Sequence, residues 1–164
     1  MQTPKRKPNP YDLIPKDYHM TQEKVESLKK KLQQLEGSLP RLKEVMQAAA
    51  EHGDFSENHA YQQAKWKLRG VNGQIQRLKS QIDKALIIKK PIDGSVGLGS
   101  SVIVETGGEE YAFTVLGAEE TDPDEGIISH LSPLGAALMG RRQGDRVSVE
   151  IADTIREYVV KKVS

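Results

Sequence analysis

Two runs of apolar residues mirror one another in this chain, and the mirror restricts what it can fold into. Val25, Leu28, Leu32, Leu35, Leu39, Leu42, Met46 and Ala49 recur at alternating spacings of three and four, as do Tyr61, Ala64, Leu68, Val71, Ile75, Leu78, Ile82 and Ala85. Each run is a heptad seam, the pattern of a coiled-coil helix. In a chain that folds back on itself one helix ascends as the other descends, so facing positions must have residue numbers with a constant sum. All eight layers meet this condition: Val25 faces Ala85, Leu28 faces Ile82, and so on to Ala49 opposite Tyr61, each pair adding to 110. The axis falls at Phe55, within a tip segment 51–58 where Gly53 and polar neighbours suit a tight helix–helix turn. An intramolecular antiparallel hairpin follows. A glycine at the midpoint of the register argues against the other coiled-coil solution, a dimer, and the chain is expected to be a monomer. Eight layers at 1.5 Å per residue span about 36 Å. Gly37, Ser38 and Pro40 conflict with this helix, because proline removes a backbone donor and crowds the preceding turn; a kink or local break is expected there.

The sequence on either side reads differently. Residues 1–19 carry prolines at 4, 8, 10 and 15 and an excess of basic residues, which predicts a flexible extended tail. The hairpin occupies 20–90, and a glycine- and serine-rich stretch after Pro91 opens a second unit, 91–164. There the period changes to that of strands. Val102–Val104 and Tyr111–Leu116 form a hairpin across Thr106-Gly-Gly108, and strands are expected at 126–129, 146–151 and 155–163. Ser132 as N-cap, Pro133 at the first helical position and Gly140 as terminator define a short helix able to cover one sheet face. The fold class is therefore α+β, a long helical hairpin followed by a small antiparallel β domain. Charge divides at the same boundary: 14 bases against 8 acids over 21–90, but 6 against 13 over 91–164. Whatever the basic half touches is expected to be negative.

The absence of cysteine excludes disulfides, a cysteine nucleophile and Cys-ligated metals. No run of 18 apolar residues and no secretory signal occurs, so the chain is read as cytoplasmic, with no membrane partner. Phosphate-binding loops, nucleophile elbows and His-Glu-x-x-His helices are likewise missing. The acidic loop Glu119–Glu125 lacks EF-hand spacing and reads as a solvated turn. What remains is the tip. Asp54 and Glu57 are three residues apart. One reading makes them a capping box that starts the second helix; another makes them a shared site for a hard divalent cation, with Ser56 free to cap. His52 and His59 are nearby, but their irregular spacing makes zinc a poor reading. Lys29, Lys30, Lys31, Arg41, Lys43, Lys65, Lys67, Arg69, Arg77 and Lys79 flank the seams. They form either a solvated coiled-coil face or a basic surface for nucleic-acid phosphate.

Several of these segments occur together in one known family. The tip 51–58 followed by Ala60-Tyr61, the entry Met20-Thr21, the Leu39-Pro40 pair, and 132–140 followed by Gly144-Asp145 resemble the bacterial GreA/GreB transcript cleavage factors, from about residue 20 to the end. The resemblance implies that the second unit is an FKBP-like domain, which docks on bacterial RNA polymerase through Ser132 and Pro133. It implies that the hairpin enters the polymerase secondary channel, where Asp54 and Glu57, supported by Ser56, help to hold a Mg2+ ion at the polymerase active site. The polymerase then cleaves backtracked nascent RNA, so the chain is a cofactor of that cleavage and not itself an enzyme, and no metal is expected to be tightly bound by the isolated protein. Lys65, Lys67, Arg69 and Arg77 would steer the RNA 3′ end. Some relatives of this fold inhibit polymerase, which leaves a channel-occupying inhibitor as the alternative. Outside the family, a coiled-coil adaptor with a small β domain is the remaining reading.

Overall fold

The computed structural model describes residues 16–51, 58–151 and 154–164. The chain divides into a helical unit, Met20–Lys90, and a sheet unit, Pro91–Ser164, which also takes in the described residues 16–19. A two-residue strand β1 (His19–Met20) pairs with β2 (Leu86–Ile87), and the Ile88 N–H donates to the Met20 carbonyl at 2.9 Å.

The helical unit consists of α1 (Gln22–Ala50) and α2 (His59–Lys84) packed on one another. Thr21 caps α1, its hydroxyl oxygen accepting from the Lys24 N–H at 3.1 Å. Burial follows the two seams. Val25, Ala64, Ile75 and Leu78 are buried and the other twelve seam residues are half-buried, while most intervening positions are exposed. Two helices enclose only one side of each seam residue, so half-burial is the rule for most of them without a third layer. Ser38, Arg41, Leu42 and Val45 of α1 line a groove of about 470 Å3 with Ala64, Lys67 and Val71 of α2. Those α2 residues bracket Leu68, the partner that the constant sum assigns to Leu42.

The expected break at Pro40 is absent: α1 is one continuous helix through it. Proline withdraws the N–H that would otherwise reach the Glu36 carbonyl, at a cost of about 3 kcal/mol in a helix interior. Leu35, Leu39 and Leu42 surround it on the half-buried seam. At about 1 kcal/mol for each half-buried leucine, they offset that cost. The Ser38 hydroxyl also donates to the Leu35 carbonyl at 2.7 Å.

The sheet unit is a five-stranded sheet in the order β5-β4-β3-β7-β6, from β3 (Ser101–Thr106), β4 (Glu109–Leu116), β5 (Ile127–Ser129), β6 (Arg146–Ile151) and β7 (Thr154–Val163). The strands fall where the alternating pattern puts them, and three of the four pairings are antiparallel. The pairing of β4 with β5 is parallel, Thr114 opposite Ile127, so the sheet is mixed. Between these strands the chain makes two 3-10 turns, Ala118–Glu120 and Pro123–Glu125, and Gly126 at φ 71° turns it into β5. The connection is long enough to bring the chain back to Thr114, so that β5 runs beside the last residues of β4 in the same direction, which a tight hairpin would not allow. The acidic residues of this connection are mostly exposed, as a solvated turn requires.

Helix α3 (Pro133–Leu138) covers one sheet face, burying Leu134 and Leu138 against Val102, Val104, Val115, Val147, Val149, Tyr158 and Val160. Gly135 permits the close fit, since a Cβ there would meet the Ser129 carbonyl oxygen.

Residues 1–15 of the expected tail lie outside the described residues. Its last residues dock on the sheet unit: the Asp17 carboxylate accepts from the Ala118 N–H at 2.8 Å and the His19 N–H at 3.1 Å. Burial pushes the Asp17 carboxyl up, but the hydrogen bonds from Ala118 and His19 and the His130 charge outweigh it and hold the group below the usual carboxylate range. Because the folded value is the lower one, this contribution is full above the unfolded carboxylate value and is lost as pH falls through the folded one.

The Pro40 account gives a stability test. Pro40 is exposed, so Pro40→Ala restores a backbone donor without creating a cavity. Helical ellipticity followed during urea unfolding is expected to show the hairpin stabilised, by up to about 3 kcal/mol. An unchanged or lowered midpoint would contradict the offset assigned to the leucine seam.

Candidate functional site

At the tip the structure describes the two helix ends, while His52, Asp54, Ser56 and Glu57 lie outside the described residues. Helix α1 closes with the Glu51 N–H donating to the Gln47 carbonyl at 3.2 Å. Helix α2 begins at His59, and its N-cap is Asn58. The Asn58 side-chain oxygen accepts from the Tyr61 N–H at 3.0 Å, and its amide nitrogen donates to the Ala49 carbonyl. One side chain thereby satisfies a free donor of α2 and a free acceptor of α1, and ties the two helix ends together.

This corrects the capping readings of the tip. A capping box would start α2 just after Asp54 and place Glu57 in its first turn, and a Ser56 cap would start it at 57; the helix starts later. Asp54, Ser56 and Asn58 are all good N-cap residues, and sequence spacing alone does not choose among them. The long-range bond to Ala49 does, because only a residue adjacent to both helix ends can make it. The N-cap of α2 is therefore Asn58, and neither Asp54 nor Ser56.

All ten flanking bases are exposed. Lys79 is paired with Glu36 of α1 at 2.8 Å, a surface ion pair of small energetic weight. Of the four residues expected to steer RNA, Lys65 and Arg69 come together, four apart on one face of α2, and line a depression of about 270 Å3 with Gln62 and Trp66. The Lys65 ammonium is 6.0 Å from the centre of the Tyr61 ring. Lys67 lies on another side of the helix, in the groove shared with Arg41. Arg77 is exposed further along α2. Trp66, the one tryptophan in the chain, is 75% exposed between Lys65 and Arg69. The sequence reading passed over it, although a tryptophan outside both seams was visible in the spacing. An exposed ring flanked by cations can stack on a nucleobase.

In the sheet unit Ser132 is engaged in starting α3. Its hydroxyl oxygen accepts from the Gly135 N–H at 3.1 Å, and the hydroxyl donates to the Ser129 carbonyl at 2.7 Å. Pro133 is exposed, as is Leu131 beside it.

A helical hairpin whose flanks carry exposed bases, joined to a mixed sheet with one short covering helix, is the architecture of a Gre-type transcription factor. The family described as "Transcription elongation factor, N-terminal" matches residues 18–87, and "Transcription elongation factor, GreA/GreB, C-term" matches 91–164. The transcription elongation factor GreA of Thermomicrobium roseum is 37% identical over 135 residues, covering 80% of this chain and 86% of the relative. That of Geobacillus kaustophilus is 40% identical over 142 residues, covering 82% and 89%. Among solved structures, the GreA factor homolog 1 (Gfh1) protein of Thermus thermophilus is 26% identical with a TM-score of 0.41, over 91% of this chain and 99% of that one. The chain belongs to the GreA/GreB family of transcription elongation factors. No helix among the described residues is long and apolar enough to cross a membrane.

The role of Asn58 is testable by two substitutions. Asn58→Ala removes the cap and the bond to Ala49, and is expected to destabilise the hairpin by about 1–2 kcal/mol in urea unfolding. Asn58→Asp keeps the acceptor for Tyr61 but loses the donor to Ala49, so it is expected to recover part of the loss. Equal stability of the wild type and Asn58→Ala would remove Asn58 as the tie between the helices.

Proposed function

We propose that this chain acts on RNA polymerase, entering its secondary channel with the hairpin and stimulating cleavage of backtracked nascent RNA. The observation that carries this reading is the capping of α2 by Asn58, which releases the tip acids from starting the helix. Family membership supplies the context in which a carboxylate-bearing tip has a use.

Asp54 and Glu57 fit a magnesium site by their chemistry, since both offer hard carboxylate oxygens. They would hold Mg2+ jointly with the polymerase, and the ion, when bound, would supply charge stabilisation for the attacking and leaving oxygens of phosphodiester cleavage. Ser56, between them, would orient a carboxylate or the attacking water through its hydroxyl. The chain contributes these groups, and the polymerase supplies the rest of the catalytic site. Two carboxylates alone bind magnesium weakly, because the ion dehydrates reluctantly.

The exposed bases on α2 are placed to attract the phosphates of the RNA 3′ segment. Lys65 and Arg69 act together with Trp66 between them, while Lys67 and Arg77 extend the positive surface along the helix. In the sheet unit, Ser132 is assigned an indirect part in polymerase docking. Its hydroxyl is occupied in holding α3, so Pro133 and Leu131 are left to present the contact surface.

The experiment is RNA cleavage in a stalled, backtracked elongation complex, with the wild-type protein and with Asp54→Ala and Glu57→Ala. The wild type is expected to release short 3′ fragments, and each variant to lose the stimulation by 100-fold or more, about 2.7 kcal/mol of barrier, while still competing with the wild type for polymerase. Normal stimulation by both variants would sink the acid-assisted mechanism. Slowed synthesis without new fragments would identify the wild-type protein as a channel-occupying inhibitor.

A further inference from the structure

The sheet unit carries a second cluster of ligating side chains, far apart in sequence and unconnected with the tip. Asp17, His19 and His130 each offer one ligand atom, and these atoms all lie within 4.8 Å of one another. Asp17 Oδ1 is 2.7 Å from His19 Nδ1, and Asp17 Oδ2 is 3.5 Å from His130 Nδ1. The two imidazole rings are 5.5 Å apart, edge to face.

The fold builds this arrangement deliberately at each position. Gly117 follows β4 and lets the backbone of residue 19 come close, because a Cβ there would meet the His19 carbonyl oxygen. His130 follows β5 directly, its N–H donating to the Leu116 carbonyl at 3.0 Å. The parallel pairing of β4 with β5 thus delivers Gly117 and His130 to one end of the sheet. The Asp17 carboxylate is only 4% exposed, and the Ala118 and His19 N–H groups fix its orientation. Backbone donors that orient a ligating carboxylate are the usual outer support of a metal site. The ion pairs that Asp17 makes among the described residues are with these two histidines, with no lysine or arginine in the set.

We propose that Asp17, His19 and His130 form a binding site for a divalent transition-metal ion of the zinc type, which staples residues 17–19 to the sheet unit. Two imidazole nitrogens and one carboxylate suit zinc, cobalt, nickel or copper, whereas calcium and magnesium favour all-oxygen sets. Ligand atoms about 2.1 Å from a tetrahedral zinc ion lie about 3.4 Å apart. The two contacts of Asp17 bracket that spacing, and the remaining separation closes by rotation of His19, whose side chain is 38% exposed. Coordination through Nδ1 moves the His19 proton to Nε2 and replaces the hydrogen bond to Asp17. His130 likewise gives up its 3.4 Å contact with the Leu116 carbonyl oxygen. A fourth position stays open for water on the exposed side. Such a staple closes a long loop of chain, between residues 17 and 130, and so acts against unfolding of the sheet unit.

The test uses the full-length protein and Zn2+ as the probe, by calorimetric titration and by thermal unfolding before and after addition of a chelator. One equivalent is expected to bind, raising the melting temperature, which the chelator returns to its starting value. His130→Asn and His19→Asn are each expected to weaken binding by about tenfold or more, and His59→Asn, at the exposed start of α2, to leave it unchanged. Co2+ is expected to give the intense visible bands of a tetrahedral site in the wild type and lose them in His19→Asn, a position exposed enough for the variant to fold. No saturable binding, or binding that survives both His19→Asn and His130→Asn, would overturn the proposal. So would binding lost on His59→Asn. None of these readouts depends on polymerase or on cleavage, so the site and the cleavage mechanism stand or fall separately.

Discussion

The hairpin depends on a seam that only two helices share. A residue in such a seam is covered on one side and open on the other, so each layer contributes about half of what a core position would. Stability must then come from the number of layers and from their agreement in register, and eight consecutive layers with one constant sum supply both. A one-layer slip would leave the end layers without partners and mismatch the side chains in every other layer. The same arithmetic explains how α1 accommodates Pro40: a fault costing about 3 kcal/mol is absorbed where several leucines would all be lost together if the helix broke.

A seam specifies what faces what, but it says nothing about how the helices end. At a turn, free N–H groups of one helix and free carbonyls of the other come together, and in this chain Asn58 answers both with a single amide. An aspartate cap would satisfy only the donor of α2, because an ionised carboxylate has no hydrogen to donate.

The hairpin was legible because its periodicity is a property of the sequence alone. Strand positions in the sheet unit were legible for the same reason, from Val102 and Val104 to Tyr158 and Val160, which alternate inward and are buried. Strand direction was not. Alternation is identical for parallel and antiparallel neighbours, and the direction of β5 is decided by the route of the 117–126 connection. The helix start at Asn58 was obscured by three competent caps in five residues, and resolved only by a bond to a residue nine positions earlier. Asp17, His19 and His130 were illegible in principle. No spacing rule links residues 17 and 130, and their meeting depends on a parallel strand pair and on a glycine that admits the His19 carbonyl.

The distribution of charge completes the physical picture. Bases outnumber acids twelve to five on α1 and α2, while the tip segment 51–58 carries three acids and no lysine or arginine, and acids outnumber bases in the sheet unit. For a surface approaching RNA, a continuous positive face draws phosphate along its length but cannot itself bind a divalent cation. Carboxylates within that face would cancel its attraction and be neutralised by lysine. The tip segment lies beyond the last bases of either helix, Lys43 and Lys65, so the two kinds of charge are separated along the chain. A turn is also the place where seam packing makes no demand on residue identity. The geometry of a two-helix hairpin thus leaves its turn as the stretch whose residue identities packing constrains least.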